Sequence, residues 1–220
     1  MNIRLSFLLL ILTAFSAAAQ APVKTVSHYP SVKPAAEIHF VDGNVGHYPI
    51  MRISKDLMRV DTGDSQSQRM PLTYVESIKF NDGCTMFFDK GAFQFDKLVL
   101  PALLKNEGGD ALLEGVLTLN GSQTEALLGA EAFRTFQKNS RLMKVGMGTI
   151  ATGTMLTIPY VSSLVLNAFK SDKVIEVGSS LAIAGGGLVV SGLVMYLIGN
   201  NQCNRVVATY NNGLGVAYTF

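Results

Sequence analysis

At 220 residues, with 48% hydrophobic and only 15% charged side chains, the chain is more apolar than a soluble domain, in which about a quarter of residues are charged. A formal charge of +2, with no basic stripe and interleaved aromatics, speaks against a nucleic-acid partner. Two cysteines, Cys84 and Cys203, are too few for a disulfide framework.

The first residues have the layout of a secretory signal: Arg4, an apolar stretch from Leu5 to Phe15, then Ala17-Ala18-Ala19. Residues 1–19 are therefore expected to be a signal peptide, with Gln20 as the mature start. Residues 20–35, carrying Pro22, Pro30 and Pro34, read as an extended linker. Export would allow a Cys84–Cys203 bridge, although two separate thiols are the simpler reading.

From residue 36 to 97 the pattern has period two with turn punctuation at Asp42-Gly43 and Asn81-Asp82-Gly83. It predicts a small antiparallel β-meander. Roughly sixty residues suffice for a marginal core, not for a deep active-site cleft. Residues 98–121 form a connector with a Gly108-Gly109 break and a candidate strand at 115–119. Ser122, with Glu125 three residues on, reads as a capping box opening an amphipathic helix over 122–144. Its Arg134, Lys138, Arg141 and Lys144 are expected at a membrane surface, where long basic side chains reach lipid phosphates.

Two apolar segments follow, 145–169 and 174–199, each long enough to cross a bilayer. Lys170-Ser171-Asp172-Lys173 makes a tight loop, so the two form an antiparallel hairpin. Pro159 should kink the first, with nearby hydroxyls able to bond the carbonyls it frees. Glycines recur every seventh residue at Gly178, Gly185, Gly192 and Gly199, and at Gly146 and Gly153. Such a row lets backbones approach closely in lipid. Pairing Gly146 with Gly199 and Gly153 with Gly192 centres the hairpin between Asp172 and Lys173. The same register sets Tyr160 opposite Gly185 and Asn167 opposite Gly178. The tail, 200–220, is expected to turn at Asn211-Asn212-Gly213 and end in a short strand, Val216, Tyr218, Phe220.

Topology pulls two ways. If the hairpin lies in the inner membrane, an exported β module puts the loop in the cytoplasm and leaves the basic set outside, against the positive-inside rule. The sequence leaves inner and outer membrane open.

Chemical motifs are weak. Asp61-Thr62-Gly63 matches an aspartic-protease triplet, but such chemistry needs two carboxylates sharing a proton, and the chain has no second triplet, which only a homodimer could supply. A turn is the better reading. Gly146-x-Gly148-x-x-Ala151 fits a dinucleotide fingerprint in letters only, because it lies inside an apolar helix. His39 and His47 are expected to face each other across a hairpin centred on Gly43, without further ligands to complete a metal site.

Four pieces occur together: VESIKFNDG at 75–83, LLGAEAF at 127–133, the glycine-bearing apolar pair, and NNGLGVAYTF at 211–220. In that order they resemble exported envelope proteins of Bacteroidota. The resemblance implies location and architecture and no activity. The expected fold is α+β and membrane-anchored: a β-meander, an amphipathic helix and an antiparallel transmembrane hairpin. No catalytic residue, metal or cofactor is expected. Expected partners are membrane lipid, other envelope proteins or a second copy of the chain. The expected role is a non-enzymatic envelope protein presenting its β module; the alternative is an oligomeric pore built on the glycine-bearing helices.

Overall fold

The computed structural model describes residues 35–62, 67–169 and 179–217. Residues 1–34, which hold the signal segment and all but the last residue of the linker, lie outside them, as do Gly63, the 170–173 loop, Gly178 and the last three residues. The described chain divides into a β-rich unit, built from residues up to Arg141 and from Gly199 onward, and a helical unit, residues 142–198.

The β-rich unit holds ten strands: β1 (Ala35–Phe40), β2 (Val45–Ile53), β3 (Leu57–Asp61), β4 (Ser67–Pro71), β5 (Val75–Phe80), β6 (Thr85–Asp89), β7 (Ala92–Val99), β8 (Leu104–Glu107), β9 (Asp110–Leu113) and β10 (Leu117–Thr118). They join in the order β7-β6-β5-β1-β2-β10-β9-β8, with β3 on β2 and β4 on β3. The expected meander is therefore too small: residues 98–121 are not a connector but supply three strands. One pairing is parallel, Leu117 of β10 beside Ile53 of β2.

Strand β2 changes partner along its length. Val45 to Pro49 pair with β1, and from Ile50 onward the strand pairs with β3. The switch falls at Pro49, which has no N–H to give to a ladder.

Two hairpins share one turn. In Phe40-Val41-Asp42-Gly43-Asn44 and in Phe80-Asn81-Asp82-Gly83-Cys84, the Phe N–H reaches the fifth residue's carbonyl (2.9 and 2.8 Å) and the Gly N–H reaches the Phe carbonyl (2.9 and 3.1 Å). In both the Asp carboxylate accepts from the N–H two residues on, at 3.0 Å. The glycines sit at φ 85° and 99°, the left-handed conformation such bulged turns require. In the first of these hairpins His39 lies opposite Val45, and His47 opposite Glu37. The two histidines therefore do not face each other, because the turn adds a bulge that the symmetric count omitted.

Helix α1 (Gly121–Leu128) is capped by Asn120 rather than Ser122: the Asn120 side chain accepts from Gln123 N–H while Gln123 accepts from Asn120 N–H. Gly129, at φ 79°, ends it, and α2 (Ala130–Phe169) runs on through Pro159 without a break at residue 144. The expected helix over 122–144 is thus split at Gly129 into α1 and the start of α2, and α2 continues as one helix through the expected segment 145–169. Helix α3 covers Ser179–Ala217, so residues 211–217 are helical, not a turn and strand. Of the described helices one, α3, is long and apolar enough to cross a membrane, within Ser180–Gly213.

The core of the β-rich unit is formed by Ile38, Ile50, Met58, Val60, Ile78 and Met86 from the strands, closed by Phe136 of α2 and by Cys203 and Val207 of α3. Polar side chains tie the same helices down. The Asn106 amide donates to Asn200 and Asn204 (3.0 and 2.8 Å), and the Ser140 hydroxyl donates to the Gly109 carbonyl (2.7 Å).

Candidate functional site

In the helical unit, four of the expected glycines mark the crossing of α2 and α3. A Cβ added at Gly146 would meet the Gly192 carbonyl at 2.6 Å, and one at Gly153 would meet the Gly185 carbonyl at 2.6 Å. The reciprocal additions at Gly192 and Gly185 meet the Gly146 and Gly153 carbonyls at 2.7 Å. Only backbone hydrogen fits there. The register differs from the expected one by a full heptad: Gly146 faces Gly192, not Gly199, and Gly153 faces Gly185, not Gly192. A seven-residue repeat is unchanged by a slip of seven, so spacing alone could not choose between them. Tyr160 is half-buried in α2, Gly199 is buried in the part of α3 belonging to the β-rich unit, and Gly178 lies outside the described residues.

Arg134, Lys138, Arg141 and Lys144 are all exposed. Their spacing of four, three and three sets them on one side of α2, opposite buried Phe136, Ser140 and Met143.

The most unusual chemistry in the β-rich unit was not expected from the sequence. Glu114 sits in the turn Leu113-Glu114-Gly115-Val116 with φ 50°, a left-handed conformation that costs a non-glycine residue ~1–2 kcal/mol. Its side chain is only 3% exposed. The Leu103 N–H donates to its Oε1 at 2.5 Å, and it is hydrogen-bonded to Asp82 and to the Cys84 thiol. Burial first, and the Asp82 charge second, raise its pKa to about 8. At neutral pH Glu114 is thus mainly a neutral acid bonded to the exposed Asp82 carboxylate. Burial likewise pushes the Cys84 thiol well above its ordinary range, and Glu114 and Asp82 add to the effect. Nearby, the Tyr210 hydroxyl is buried without a hydrogen-bond partner among the described residues.

This group can hold a proton near neutral pH. It makes a poor nucleophile, because only a thiolate attacks well. Neither Cys84 nor Cys203 forms a disulfide, and both are fully buried. Among the described residues no three His, Cys, Asp or Glu side chains form a metal-binding group. One signal could have pointed to Glu114: it is the only charge in the run from Ala111 to Leu119, and glycine follows it. Comparison with family models, with curated proteins and with solved structures gives no match.

Proposed function

We propose that the chain is a non-enzymatic membrane-anchored protein of the cell envelope. In this reading residues 142–198 fold within the bilayer as a helical hairpin, and the β-rich unit serves interaction or assembly in the aqueous phase. The observation that carries it is the outer surface of the helical unit. Val145, Met155, Ile158 and Val161 on α2, and Leu181, Ile183, Val190 and Val194 on α3, are all exposed, Met155 at 72%. A water-soluble unit would bury such a surface; hydrocarbon accommodates it.

The hydroxyls of α2 support the same reading. Thr149, Thr152 and Thr154 donate to the carbonyls of Val145, Gly148 and Ile150, and Thr157 and Ser163 to those of Thr154 and Tyr160. These five hydroxyls are satisfied within their own helix, which is what hydrocarbon surroundings require of a polar side chain. A water-lined pore, the competing reading, would instead direct hydroxyls to a lumen.

Alkaline carbonate extraction of cells expressing the full chain tests the proposal. The protein should stay in the membrane pellet and enter solution only with detergent. Release by carbonate alone would overturn it. Dye leakage from liposomes carrying the purified chain would replace it with the pore.

A further inference from the structure

The β-rich unit has a second feature, separate from the acid–thiol group and independent of the membrane reading. A cleft of about 400 Å³ opens between β2, β6, β7, β10 and α1. Its volume falls in the range of small-molecule sites, ~300–1,000 Å³. Its floor is apolar: half-buried Phe93 and Leu117, backed by the core side chains Ile53, Leu72 and Phe88. Phe93 packs on the buried Phe88, ring centroids 5.9 Å apart and tilted by 48°, and is itself only half-buried, so its ring offers aromatic surface to an occupant.

The remaining lining is polar and one-signed. Arg52 and Lys55 contribute positive charge, Ser54, Thr118 and Gln123 contribute neutral polar groups, and none of the lining residues is acidic. Arg52 is already oriented: its guanidinium donates to Glu107 (2.7 Å) and to the Thr118 hydroxyl (3.2 Å). Gln123 is oriented too, since its Oε1 accepts from Asn120 N–H (3.0 Å) in the α1 cap, which leaves its amide hydrogens for another acceptor. Fixed donors beside an apolar floor recognise a molecule with one apolar end and one anionic end.

The geometry points to this cleft as a binding site for a small amphipathic carboxylate, its apolar body on Phe93 and Leu117 and its anionic group between Arg52 and Lys55. Glu107 holds part of the Arg52 charge, so the ligand anion shares that guanidinium, and Lys55 supplies the second cation.

Isothermal titration of the purified full chain in a mild detergent with 4-phenylbutyrate tests the assignment, with the detergent alone as the blank and 4-phenylbutanol as the uncharged control. The acid should bind saturably, one per chain, and about tenfold more tightly than the alcohol. Lys55→Glu, at an exposed position that leaves the fold intact, should abolish that preference. Equal affinity for acid and alcohol, no saturable heat from either, or a preference unchanged in Lys55→Glu would each overturn it.

Discussion

The side-chain amide of Asn211 pairs with both main-chain groups of Leu104: the Leu104 N–H donates to Oδ1 and the Asn211 amide donates to the Leu104 carbonyl, each at 2.9 Å. Leu104 begins β8, which ends the sheet's main path. A helix residue therefore closes the sheet as a further strand would, inside a buried environment where Asn211 is only 7% exposed. Asn211→Leu would leave a buried N–H and a buried carbonyl unpaired, a loss of about 2–4 kcal/mol. Chemical denaturation of the full chain in a mild detergent measures this. A midpoint equal to wild type would refute the role given to Asn211.

The glycines separate cleanly by what lies in front of them. Gly146, Gly153, Gly185 and Gly192 face backbone, whereas Gly148, Gly186 and Gly187 face open space. Gly153→Ala should force the two helices apart and cost ~1–3 kcal/mol, in line with other overpacking changes. Gly187→Ala should be neutral or slightly stabilising, because alanine is the better helix former. Thermal unfolding of both variants in the same detergent decides the matter. Equal losses from the two would show that the crossing is not where the structure puts it.

Cys84 and Cys203 are both fully buried, so thiol labelling of the native chain should report unfolding rather than sidedness. A maleimide reagent is expected to leave both unmodified in the folded protein and to modify both in denaturant. Sidedness is better read from a cysteine at Val41 or Tyr74, 67% and 65% exposed, with the native thiols replaced by alanine. Rapid labelling of the native thiols under folding conditions would contradict the packing around them.

How much of this could be read from residues alone depends on whether local chemistry or distant contacts decide a segment. The Asp42-Gly43 and Asp82-Gly83 turns were legible because an aspartate side chain closes each turn on its own backbone. The turns at Lys90-Gly91 and Glu114-Gly115 were not, since a long charged side chain at positive φ is contrary to ordinary turn preference. Asn211-Asn212-Gly213 reads as a turn, but Leu104 takes the Asn211 side chain that would have competed for the local backbone, and the helix continues. The heptad glycines identified the close-packed faces yet could not set their register. The acid–thiol group was invisible because Cys84 and Glu114 lie thirty residues apart, and only folding brings them together.

Glu114 makes stability depend on pH with a definite sign. Its folded pKa, about 8, lies above the ordinary 4.5, so the folded chain keeps a proton that the unfolded chain releases between those values. Its contribution is fully present below pH 4.5 and is lost as pH rises toward 8, at up to ~1.4 kcal/mol per pH unit. Glu114→Gln keeps the shape of the neutral acid, an acceptor for the Leu103 N–H and a donor for Asp82, but binds no titrating proton. Denaturation midpoints of wild type and Glu114→Gln, measured from pH 5 to pH 8, should converge at the acid end. Toward pH 8 the variant should become the more stable of the two. Parallel curves across the range would mean that Glu114 titrates normally and that its burial has been misassigned.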